Sequence, residues 1–197
     1  MLKILLWDGT KAKDIKTSTF WCSIRKVGLN VGWYKMVWHN MVPPRYSFLL
    51  WLAFHKGLRT TDRLIMFGME VNPFCVLCST EMETFQHLFF QFRFSFQLLV
   101  AILRRCGWRG MNRSWTSITD FICCSSGPNL KRGLLIFGFA TVVYRIWQER
   151  NSRIFSNKVT PVRVILRDLI HIVKCRLHTY AKFQKLKSSA CFHHLVL

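Results

Sequence analysis

The sequence predicts a mainly α fold: a small helical domain interrupted by one loop, followed by long amphipathic helices. Three observations predict it. Apolar side chains recur at spacings of three and four residues over 44–55 and 162–180, the period of a helix with one buried face. Proline and glycine fall where helices begin and end, at Pro43-Pro44, Gly68, Gly107 and Pro161. Between the helical stretches, Cys75-Val76-Leu77-Cys78 is followed after eight residues by His87, so the intervening loop is a candidate zinc knuckle.

Taken in order, Thr17 or Ser18 can cap a first helix ending near Gly28. Pro43-Pro44 breaks the chain and opens the next helix, Pro44 to His55, because proline suits a first turn but not an interior. Its apolar residues Phe48, Leu49, Trp51 and Leu52 mark the face expected toward the core. Thr61 is placed as cap of a short helix that Gly68 closes, and Asn72-Pro73 opens the knuckle loop. A helical run from Thr84 would turn His87 back toward that loop, and Arg93 to Arg105 continues as helix until Gly107. Ser117 to Cys124 reads as a short apolar helix whose adjacent Cys123 and Cys124 are assigned to the core. Ser125-Ser126-Gly127-Pro128 is a linker, and Leu130 to Arg150 a long helix. Within that helix the apolar run Gly133 to Tyr144 is far short of the ~20 residues that span a bilayer, which makes it a buried segment. Thr160-Pro161 starts the last helix, with Val162, Leu166, Leu169, Val173, Leu177 and Tyr180 along one face. Beside them run Arg163, Arg167, His171, Lys174, His178, Lys182 and Lys185, a stripe that suits a phosphate backbone, an anionic membrane surface or plain solvent.

Two thiols and an imidazole are three of the four ligands of a structural zinc site. The expected fourth is missing: Leu88-Phe89-Phe90-Gln91-Phe92-Arg93 offers no thiolate, imidazole or carboxylate. Either Cys75, Cys78 and His87 hold zinc with water or a distant side chain such as Cys106 completing the set, or Cys75 and Cys78 are a buried thiol pair without metal.

The chain has 197 residues with 29 Lys and Arg against 9 Asp and Glu, a net charge of +20, and a polyanion is the default partner. The excess lies in the second half, where 17 basic side chains meet 3 acidic ones, against 12 and 6 in residues 1 to 100. Apolar residues make up 51% and aromatic ones 15%, enough for one ordinary core with an aromatic surplus that predicts exposed apolar patches. Eight cysteines and an N-terminal apolar run too short for a signal peptide predict reduced thiols and an intracellular protein of nucleus or cytoplasm, not a secreted one. Asp8, Asp14, Asp62, Asp120 and Asp168 stand singly, without the carboxylate cluster of a two-metal polymerase or ribonuclease H. Phosphate-loop, nucleophile-elbow and His-Glu-x-x-His patterns are lacking too, so no enzyme and no small-molecule substrate is expected.

Several sparse motifs agree in order and spacing with one family. They are Trp33-Tyr34-Lys35-Met36-Val37-Trp38, Val42-Pro43-Pro44-Arg45-Tyr46-Ser47-Phe48-Leu49-Leu50-Trp51-Leu52-Ala53, Leu58-Arg59-Thr60-Thr61-Asp62-Arg63-Leu64, the cysteine pair, and His87-Leu88-Phe89-Phe90. Together they resemble the reverse transcriptase zinc-binding domain of plant LINE-type (non-LTR) retrotransposons, and Ile146 to Phe155 resembles a segment that follows it in such polyproteins. The resemblance implies a tail over 1–14, the zinc-binding-like domain over 15–106, a linker with a short helix over 107–128 and a basic helical region over 129–197. It places the missing fourth ligand, a cysteine in the family, at Phe92. It also favours RNA or DNA as the partner, with Lys131, Arg132, Arg145, Arg150, Arg153, Arg163, Arg167 and Lys174 as backbone contacts and Trp or Tyr rings for stacking on unpaired bases. A second implication is a protein-interaction domain that packed on its reverse transcriptase polypeptide, and a third a non-functional retrotransposon remnant.

Overall fold

In the computed structural model, residues 31–108, 114–125 and 129–179 are described. Among them the chain is mainly helical and has no strand, only an isolated antiparallel bridge between Phe74 and Met82. The elements are α1 (Tyr34–Val37), α2 (Pro44–Phe54), α3 (Thr61–Met66), a π-helical turn (His87–Gln91), α4 (Arg93–Arg105), α5 (Trp115–Cys124), α6 (Asn129–Ser156) and α7 (Val162–Thr179). From Gly32 onward they belong to one compact unit, and the divisions drawn after residues 106 and 128 fall inside it. The helix placed before Gly28 and the tail over 1–14 lie outside the described residues.

α6 is the central element, packed against α2, α4, α5, α7 and the π-helical turn. Every residue from Gly133 to Val143 is buried, as a helix that is apolar on all sides requires. Gly138 sets how near α4 comes, since a Cβ there would lie 2.9 Å from Cys106 Sγ and 3.2 Å from Ile102 Cγ2. α4 itself ends where expected, with Gly107 in the left-handed region at φ 92°.

Some faces differ from expectation. The buried stripe of α2 is Tyr46, Leu49, Leu50 and Ala53, while Phe48 stands exposed and Trp51 and Leu52 are half-buried. In an almost wholly apolar helix the period leaves the inward direction open, and contact with α6 decides it. The N-cap position of α3 is Thr60, one residue before Thr61, and the Thr61 amide is taken by the Glu83 carboxylate rather than by a threonine hydroxyl. α5 starts at Trp115 because the Ser114 hydroxyl accepts the Ser117 amide at 3.2 Å. Its inward residues are Ile118, Thr119 and Ile122, so Cys124 is exposed and Cys123 half-buried rather than core. α7 buries Ile165, Leu169, Val173 and Leu177, and Val162 is left near the surface. Among the described residues no helix is long and apolar enough to cross a membrane.

Candidate metal centre and basic surface

The knuckle is a tight reversal closed at its base by the Phe74–Met82 bridge and the Cys75 amide, which donates to Glu81 carbonyl at 2.7 Å. At its tip the Cys78 and Ser79 amides fold back on Cys75 carbonyl, and Ser79 takes a positive φ of 59°. The Thr84 hydroxyl then accepts the His87 amide at 3.0 Å and starts the helical run that brings the imidazole over the loop. The donor atoms of Cys75, Cys78 and His87 lie within 4.8 Å of one another, and Cys78 Sγ is 3.4 Å from His87 Nε2. Zinc–sulfur and zinc–nitrogen bonds at a tetrahedral angle require an S···N edge of about 3.6 Å, so the arrangement fits the ion. Among the described residues no other group of three such side chains converges.

The electrostatics fit as well. Burial pushes the Cys75 thiol up to about 11. Burial acts in the same sense on Cys78, but hydrogen bonds from the Thr80 hydroxyl and amide, the Glu81 amide and His87 outweigh it and bring that thiol down to about 7. His87 Nδ1 is buried and 3.0 Å from Glu81 Oε2, without hydrogen-bond alignment. A carboxylate on the far ring nitrogen is the partner that orients a metal-ligating histidine toward its ion through Nε2.

The π-helical turn explains the place of Phe92. Five positions along an α-helix would carry a side chain about 140° away from the first. Here the Phe92 amide bonds His87 carbonyl at 3.0 Å, an i→i+5 closure, and the Phe92 ring stacks on the imidazole with centroids 5.8 Å apart. Position 92 therefore adjoins His87, one of the three donors, and carries an aromatic ring there. Cys106 is not an alternative ligand: it sits at the other end of α4, about 20 Å along the axis, against Gly138.

Two arginines fasten the loop to α6. Arg150, 4% exposed in its side chain, forks onto Glu83 with Nη2 at 2.7 Å from Oε1, and Glu83 Oε1 also accepts the Thr61 amide at 3.0 Å. Arg153 donates to Leu77 carbonyl at 3.2 Å and to Glu149 at 2.9 Å. Glu149 in turn accepts the Thr160 amide at 3.0 Å and so fixes the link to α7. Glu83 is not marked by spacing, because 67 residues separate it from its partner, whereas Glu149 stands four residues before Arg153, the spacing of a helical ion pair. For Glu83 the signal is scarcity: nine carboxylates among 29 cations make each one a strong candidate for a fixed partner.

The eight cations expected to touch nucleic acid are not one surface. Arg150 is unavailable to a phosphate because Glu83 holds it in the interior, and Arg153 is mostly engaged with the loop. Arg132 donates to Cys123 carbonyl at 3.3 Å, and Arg145 to Gln148 at 2.8 Å. Lys131, Arg163 and Arg167 face solvent and Lys174 is half-buried. On α7, His171 and His178 share the outer face, while Lys182 and Lys185 lie outside the described residues.

A family described as zinc-binding in reverse transcriptase matches residues 16–98, a stretch that contains the knuckle, His87 and Phe92. No curated protein and no solved structure matches the chain.

Proposed function

We propose that this chain is a non-catalytic, zinc-braced helical module of a LINE-type, non-LTR reverse transcriptase of plants, and that it binds the phosphate backbone of RNA or DNA. The observation that carries the reading is the convergence of Cys75, Cys78 and His87 within the stretch matched by a reverse-transcriptase zinc-binding family. The ion would be held by the two thiolates and His87 Nε2. Its contribution is structural, joining the knuckle to the π-helical turn at a point where α3 and α6 also meet through Glu83. The nucleic-acid reading draws on the excess of 29 cations over 9 carboxylates and on the solvent-facing Arg163 and Arg167 of α7. An intracellular setting, nucleus or cytoplasm, suits the unbridged thiols among the described residues.

Metal analysis and RNA titration test the two halves. Purified protein should carry one zinc, yield it to a mild chelator, and hold it more tightly after Phe92→Cys, which closes the set with a thiolate beside His87. Protein whose melting is indifferent to zinc would instead make Cys75 and Cys78 a buried thiol pair. Affinity for single-stranded RNA should fall with salt at roughly −0.7 per phosphate contact.

A second reading, docking on the polymerase part of its polypeptide, is favoured by the surface beside the knuckle. Met66, Phe67, Phe74 and Phe155 are exposed there, next to a groove of about 650 Å³ lined by Leu64, Met69 and Ile154. Binding to a reverse transcriptase polypeptide that Phe155→Asp and Met66→Asp abolish, with no affinity for RNA, would put this reading first.

A further inference from the structure

We propose that the pocket between α2, α6 and α7 binds one phosphate of a nucleic-acid strand through Arg45 and Arg145, an inference that rests on the nucleic-acid reading above. The pocket measures about 310 Å³, at the lower end of what ligand sites enclose. Arg45 stands in the first turn of α2, where the helix end is positive. Its guanidinium lies 5.0 Å from the ring centroid of Tyr46 and 5.5 Å from that of Tyr144, two rings that are themselves 4.4 Å apart. These cation–π contacts hold the guanidinium against the two rings, and its one side-chain hydrogen bond among the described residues, to the Tyr46 hydroxyl, is long at 3.4 Å. Among the described residues no carboxylate pairs with Arg45.

Arg145 reaches the same pocket from α6. One of its nitrogens donates to Gln148, another is 3.7 Å from Asp168, and its buried Nε has no hydrogen-bond partner. Buried donors without partners are uncommon enough that each points to a missing acceptor. Asp168 is also 3.8 Å from Arg167, so two guanidiniums share one carboxylate, and with Arg45 lining the same pocket the local charge stays positive. Two forks approaching from different helices match the tetrahedral, multiply accepting oxygens of a phosphate better than a single planar carboxylate. Arg167 faces solvent beside the pocket and Arg163 follows one turn away, giving the next phosphates of a strand a place to lie.

The test uses the full chain and its Arg45→Gln, Arg45→Lys and Arg145→Gln variants, each checked for an unchanged thermal melt. Labelled single-stranded RNA is titrated by anisotropy across a salt series, and inorganic phosphate is titrated against the Arg145 Nε–H resonance. Arg45→Gln should weaken RNA binding by about tenfold or more and lower the salt slope by about 0.7. Arg45→Lys should keep the slope but lose affinity, since an ammonium cannot supply the fork. Phosphate should shift the Arg145 resonance saturably in the parent protein and not in Arg45→Gln. Folded Arg45→Gln and Arg145→Gln proteins that bind RNA as the parent does would overturn the pocket and leave the nucleic-acid reading standing. A saturable phosphate shift in a protein without RNA affinity would overturn the strand as the source of the phosphate, and absence of both would overturn the pocket with the reading it rests on.

Discussion

Cys75 and Cys78 lie in one loop yet ionise in opposite directions, the first pushed up to about 11 by burial and the second brought to about 7 by the hydrogen bonds it accepts. In the metal-free protein Cys78 should therefore react with iodoacetamide with a midpoint near pH 7, and Cys75 should stay unlabelled until well above pH 9. Peptide mass spectrometry across pH reads this directly, and equal midpoints near 9 would contradict the geometry. The stability signs follow. A thiol lowered by folding contributes stability that is complete above its ordinary value of 9.0 and disappears as pH falls through 7. Cys75 is the reverse: its contribution is complete below 9.0 and disappears as pH rises through 11. Glu83 and Arg150 form the other decisive contact at this scale, because both are buried and each is the other's counter-charge. Arg150→Met leaves Glu83 as an uncompensated buried charge and should cost about 3 to 5 kcal/mol in chemical denaturation. A loss under about 1 kcal/mol would place the pair in the range of surface ion pairs.

At the scale of elements, the contact between α4 and α6 turns on Gly138. Alanine at an unobstructed interior helix position gains up to about 1 kcal/mol over glycine. Here the added methyl would meet Cys106 Sγ at 2.9 Å, so Gly138→Ala should destabilise, by about 1 to 3 kcal/mol. Cys106→Ala removes the obstructing sulfur, and the double variant should be more stable than the two single losses added together. Strict additivity in denaturant melts would show that the helices approach elsewhere. The aromatic surplus also resolves at this scale. Phe54, Phe85 and Phe90 lie 4.7, 5.2 and 6.1 Å from Trp115 by ring centroid, and Phe139 of α6 lies 5.4 Å from it, so part of that surplus joins α2, α5, α6 and the π-helical turn. Other aromatic side chains are exposed, Phe67, Phe74 and Phe155 near the knuckle and Tyr34, Trp38, Phe48 and Phe121 elsewhere.

For the whole molecule, the family match ends at residue 98, yet the helix that this segment packs on begins at Asn129. Without α6, the inner faces of α2 and α4 lose the apolar surface they bury against, and Glu83 loses Arg150. A chain ending at Pro128 should accordingly show neither a cooperative melt nor dispersed amide resonances, whereas residues 32–179 should melt cooperatively. A folded fragment ending at Pro128 would support a division between a zinc-binding-like domain and a separate basic region.

What the sequence determined by itself was the class of fold, most helix ends and the three candidate metal donors, because each is written in local spacing. Pro44, Gly68, Gly107 and Pro161 act on their own backbone, and Cys75, Cys78 and His87 lie close enough along the chain for one reversal to bring them together. The tertiary structure decided the rest. Which face of α2 is buried, which arginine is taken by Glu83, and which face the Asp168 pocket all depend on contacts with α6 and α7. Those contacts join residues far apart in sequence, and in a chain so rich in cations spacing cannot distinguish an arginine held by a buried carboxylate from one free to meet a phosphate.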